Sequence, residues 1–70
     1  MEINITAVNE LIKNKFRNNK TWFAEVIGIN NSYLNRILNG KAKTSGFKVC
    51  NTIINYCKKN NLDYTKYVSF

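Results

Sequence analysis

The side chains that could do covalent or acid–base chemistry are few, and the most useful one is missing. The chain has no His, so it lacks the usual proton shuttle and the commonest metal ligand. Its acids, Glu2, Glu10, Glu25 and Asp63, are scattered, with no spacing that pairs two carboxylates for acid–base work. Cys50 and Cys57 fall on one helix face about two turns apart, too far for a disulfide between them. No CxxC or zinc pattern accompanies them. They read as buried free thiols of a reducing compartment. No catalytic residue, metal, cofactor or small-molecule substrate is expected. What remains is amide and cationic chemistry. Asn31, Asn35 and Arg36 carry groups that pair with adenine or guanine edges in a major groove. Lys20, Lys41 and Lys43 can neutralise phosphates and set register.

The balance of charge points the same way. Eleven Lys and Arg stand against four acids, a net charge of +7. A small basic domain reads first as the partner of a polyanion, and nucleic acid is the commonest. The plainer reading is a merely soluble surface. An Asn-bearing helix face is likewise often just solvated, and Asn recurs from Asn4 to Asn61. The length of 70 residues suits a single domain. Pro is absent and Gly scarce, so nothing reads as a linker. No long apolar run suggests a membrane span. The start, MEINITAVNE, does not resemble a signal peptide, so an intracellular, cytoplasmic protein is expected.

The elements that must position these groups are read from apolar spacing. Ile5, Val8, Leu11, Ile12 and Phe16 form one stripe of a first helix, with Asn4 or Thr6 as its cap. Lys13, Lys15 and Arg17 near its end suit the helix dipole, or reach phosphates; both readings stay open. After a polar break at Arg17–Lys20, a second helix runs to Ile27 with Phe23, Ala24 and Ile27 inward. Asn19 or Thr21 caps it. Gly28 can take positive φ and end it, and Asn30 can cap a third helix over about 31–39. At about 100° per residue, Tyr33, Leu34, Ile37 and Leu38 fall on one side of that helix and Asn31, Ser32, Asn35, Arg36 and Asn39 on the other. Gly40 ends it. A fourth helix is expected from about Gly46 to Asn60, with Ser45 as cap. A last short helix is expected through Leu62, Tyr64, Tyr67 and Val68. No segment alternates convincingly with period two, so the expected fold is all-α, a compact bundle of four to five helices.

Two short helices joined by a tight turn containing Gly form a helix-turn-helix, and Lys20 to Asn39 fits that spacing. Ala24 stands where the two helices would approach most closely, and Phe23, Ile27, Ile29, Leu34 and Ile37 where they would share a core. The stretch from Asn19 to Lys43, above all FAEVIG followed by SYLNRILNGK, resembles the lambda-repressor-like family, the Cro and repressor proteins of temperate phages and their bacterial relatives. The resemblance implies a third helix presented to the DNA major groove and an operator-binding role, commonly as a dimer. It also implies a phage- or prophage-encoded part in a lysogeny/lytic switch. Position by position, it makes Lys20 and Asn39 phosphate contacts, Asn31 and Ser32 base contacts, and Asn35 and Arg36 groove-facing. The small size is also similar to the modulators of repression encoded beside repressors in lactococcal phages.

One departure from that family's usual pattern stands out. Trp22 and Val26 lie four apart on the second helix, off its inward face, where polar residues are usual. Either both fold onto the first helix or the tail, or they form an apolar patch for a protein partner. Tyr33 could join either surface. Tyr64, Tyr67, Val68 and Phe70 are another candidate contact, for self-association. Two functions follow: a regulator that binds double-stranded operator DNA, or a modulator (antirepressor) that binds a phage repressor protein, with or without DNA.

Overall fold

A computed structural model describes residues 2–41 and 47–69. The chain is mostly helical. A strand β1 (Glu2–Ile3) is followed by helices α1 (Ile5–Lys15), α2 (Lys20–Ile27), α3 (Asn31–Leu38) and α4 (Phe47–Lys59). A 3₁₀ turn at Tyr64–Lys66 and a strand β2 (Val68–Ser69) close the chain. Lys43, Ser45, Gly46 and Phe70 lie outside the described residues.

Local hydrogen bonding sets the helix boundaries. Of the paired candidates, Asn4 and Asn19 are the caps: their side-chain oxygens accept from the backbone N–H groups of Ala7 and Trp22 at 3.1 and 3.0 Å. Each satisfies a donor that the first helical turn leaves free. The ends follow one rule as well. After α2, Gly28 takes φ +77°, its N–H donates to Glu25 O, and Ile29 N–H donates to Ala24 O at 2.9 Å. After α3, Gly40 takes φ +72°, its N–H donates to Ile37 O, and Lys41 N–H donates to Arg36 O at 2.9 Å. Both are the paired bonds of a Schellman ending. At the end of α4, Asn61 takes φ +56° and Leu62 N–H donates to Cys57 O at 2.8 Å.

The apolar stripes meet in one core. Val8, Phe23, Leu34, Ile37, Val49 and Ile53 are buried completely or nearly so, and each such side chain contributes roughly 1.5–3 kcal/mol of burial. No charged or polar residue is buried among the described residues. Cys50 and Cys57 are free and buried, and burial pushes both thiols above their ordinary range. They stay protonated and packed, as apolar side chains do. Phe16 links the end of α1 to the rest, with ring centroids 5.1 Å from Phe23 and 5.9 Å from Tyr56. α2 packs most extensively on α3, with Ala24 buried in α2.

The tail departs from expectation. Instead of a last helix through Leu62, Tyr64, Tyr67 and Val68, the chain makes one 3₁₀ turn and then an antiparallel ladder in which Glu2 pairs with Ser69 and Ile3 with Val68. The Asp63 carboxylate accepts from Thr65 N–H at 3.0 Å and starts the turn. Tyr67 N–H bonds back to Tyr64 O, and Tyr67 O accepts from Asn4 N–H at 2.8 Å, bringing the two ends together. Ile3 and Val68 are both buried, so the ladder covers one end of the core. Two residues per strand are too few to show alternation in the sequence.

Candidate nucleic-acid interface

The region of interest is built on the turn between α2 and α3. Gly28 reverses the chain in a conformation a side chain would strain, and Ile29 seals the corner, buried against the core. The Asn30 side chain then accepts from Ser32 N–H at 2.9 Å and Tyr33 N–H at 3.2 Å. One amide thus holds two free donors at the start of α3 and fixes its entry angle. On the inner side, Leu34, Ile37 and Leu38 are buried, which leaves a single orientation available to the helix. Ser32, Arg36 and Asn39 point outward and are exposed. The helix reads NSYLNRIL and carries no acid.

Asn31 and Asn35 hold a different place. Both are half-buried on the shoulder of α3, and Asn35 Nδ2 donates to Asn31 Oδ1 at 3.3 Å. They are coupled amides rather than two free ones. Lys20 is half-buried at the first position of α2, and Lys41 is exposed just after α3. Asn39 is the C-cap of α3, its N–H bonded to Asn35 O at 3.0 Å. The positions expected to touch bases or phosphates, Lys43 apart, therefore belong to α2, α3 and the residues just after it.

Lys13, open to both the dipole and the phosphate reading, is a neighbour of Lys20. Lys13 and Asn18 line a surface depression with Lys20, Thr6, Asn9 and Glu10. Arg17 and Asn18 both take left-handed backbone, at φ +52° and +62°, and this double turn folds the start of α2 back beside α1. Asn-rich breaks favour such conformations, which is the one signal the sequence offered.

Trp22 and Val26 are each 46% exposed, and Tyr33 is 38% exposed. Trp22 also leans on the end of the first helix, its ring edge-on to Phe16, while part of the indole stays exposed. Val26 borders a groove of about 480 Å³ between α2 and α4, with Ile27, Thr52, Asn55, Tyr56 and Lys59. Tyr56, a half-buried wall of this groove, packs edge-on against Phe23 at 5.9 Å.

Among the described residues no three His, Cys, Asp or Glu side chains stand close enough to hold a metal, and no helix is long and apolar enough to cross a membrane. The chain matches no protein-family model, no curated protein and no solved structure.

Proposed function

We propose that this chain is a small DNA-binding transcriptional regulator of the phage Cro and repressor type. In this reading α2 and α3 act as a helix-turn-helix. α3 enters the major groove, with Ser32, Arg36, Asn31 and Asn35 toward base edges, while Lys20, Asn39, Lys41 and Lys43 hold phosphates. The observation that carries the proposal is the outward side of α3. It bears amide, hydroxyl and guanidinium groups and no carboxylate, with Lys20 at the first position of α2 and Lys41 just after α3. Such a face pairs with base edges without placing a negative charge against the phosphates. A net charge of +7 favours the encounter, and a dimer on a two-fold operator is the natural arrangement. The absence of His and of paired carboxylates from the sequence gives no footing for catalysis.

The test is selection of duplexes from a randomised pool, followed by titration of the selected site at several salt concentrations. A defined sequence should emerge. The three lysines assigned to phosphates would give a log–log salt slope of about −2.7 per protomer, and a dimer twice that. Binding without sequence preference, or no binding at all, overturns the proposal.

A second reading rests on the exposed Trp22 and Val26 beside the α2–α4 groove. Here the chain is a modulator that binds a phage repressor protein through that edge, alone or together on DNA. The check is a mixture with the repressor encoded by a neighbouring gene. A heterocomplex that persists unchanged after Trp22→Ala and Val26→Ser removes this edge as its anchor.

A further inference from the structure

We propose that Asn31 and Asn35 act as one coupled reader, with a fixed donor end and a fixed acceptor end, matched to a single adenine. The inference rests on the DNA-binding reading and deepens it. Two separate Asn side chains could each rotate and pair with different bases. Here the Asn35 Nδ2 hydrogen bond to Asn31 Oδ1, at 3.3 Å, engages one end of each amide. An amide oxygen accepts and an amide nitrogen only donates, so a bond between the two amides ties the direction of one to that of the other, here with Asn35 as donor and Asn31 as acceptor. It leaves Asn31 with its nitrogen available as a donor and Asn35 with its oxygen available as an acceptor.

That order has a counterpart in DNA. The major-groove edge of adenine offers the N7 acceptor beside the N6 amino donor. Asn31 Nδ2 would donate to N7, and Asn35 Oδ1 would accept from N6. Guanine offers two acceptors on this edge, and cytosine a donor with no neighbouring N7, so neither satisfies both ends. The half-burial of both residues on the shoulder of α3 restricts their rotation, so little ordering is needed at binding. Arg36 and Ser32, fully outward, remain separate readers of other positions.

The experiment combines duplex selection with a double-substitution cycle. Wild type, Asn31→Ala, Asn35→Ala and the double variant are each presented with the randomised pool, and their folding is followed by circular dichroism. Each single variant should lose its adenine preference at the same base pair, by about tenfold, and the double variant should lose little more than either. A second arm needs no protein variant. In the selected duplex, each adenine in turn is replaced by 7-deazaadenine, which lacks only the N7 acceptor. One adenine should show a loss of about tenfold with the wild type and almost none with Asn31→Ala. If wild type selects a site but the single variants relax different base pairs additively, the coupled reader is wrong and the DNA-binding reading stands. If no 7-deazaadenine substitution weakens wild-type binding, the coupled reader is also wrong. If wild type selects no sequence, both proposals fall.

Discussion

The indole of Trp22 stands edge-on to the ring of Phe16, with centroids 4.9 Å apart and planes at 73°. Phe16 is buried while Trp22 is 46% exposed, so one aromatic pair joins the core to the surface. Edge-to-face pairs add roughly 0.5–1.5 kcal/mol beyond burial. Trp22→Ala should therefore cost about 1–2 kcal/mol, less than for a fully buried Trp. In a chain of 70 residues that lowers Tm by about 7–14 °C. The variant should remain folded at room temperature by circular dichroism, so it can be used to test partner binding. A loss well above 3 kcal/mol would place Trp22 in the core rather than at its edge.

Gly28 separates steric room from backbone conformation. A Cβ placed on it meets nothing within 4 Å, yet its φ is +77°. Gly28→Ala should thus destabilise through the backbone alone, by about 1–2 kcal/mol. Gly28→Asn should cost less, because Asn enters this region more readily. Denaturant midpoints of the two variants give the order, and equal losses would contradict the backbone explanation.

The elements legible in the sequence were those set by local bonds. Asn19, Gly28, Asn30 and Gly40 act within a few residues of themselves, so residue type and apolar spacing were enough to place α2, the turn and α3. Ser32, Arg36 and Asn39 on the outward side followed from the same spacing, but Tyr33, expected on the inner side, is exposed, and Asn31 and Asn35, expected outward, are half-buried. Three features were out of reach because they depend on residues distant in the chain or on side-chain rotation. The pairing of Ile3 with Val68 joins the two ends of the chain. The proximity of Lys13 to Lys20 depends on two consecutive left-handed residues, Arg17 and Asn18. The Asn31–Asn35 bond has the i, i+4 spacing that permits it, but that spacing does not say which amide end faces which, or that the pair sits half-buried.

Asn30 offers a way to separate folding from DNA binding. Its amide accepts two backbone bonds at the start of α3, so Asn30→Ala should cost about 1 kcal/mol or somewhat more. Asn30→Asp keeps the acceptor, and its charge favours the helix N-terminus, so stability should be unchanged or higher. In the DNA-binding reading the same carboxylate lies beside Asn31 and Ser32 at the DNA-facing start of α3, and its charge should weaken operator binding by about tenfold at 0.1 M salt. Thermal melts and operator titrations of both variants check this. An Asn30→Asp chain that is stable and binds as tightly as wild type would move the start of α3 away from the DNA.

The alkaline limit of stability should be set by neutral groups that are buried or half-buried. Burial raises the Cys50 and Cys57 thiols above the ordinary 9.0, and it raises the Tyr56 and Tyr67 phenols above the ordinary 10.0. For Cys57 the nearby Asp63 carboxylate adds to the effect. As pH climbs past the ordinary values, the unfolded chain releases these protons before the folded chain does. The folded chain then binds more protons, so stability falls with rising pH. The contribution is fully present below about pH 8 and is lost progressively above about pH 9. At the acid end Asp63 acts in the opposite sense: the Thr65 side-chain and backbone bonds hold its carboxyl below the ordinary 3.8. Its contribution is present above that value and fades as pH drops through it. Tm measured across pH should show a plateau with a fall on both sides. Cys57→Ala should lower the plateau and reduce the alkaline slope. A slope unchanged by that substitution would assign the alkaline loss to the tyrosines and Cys50 alone.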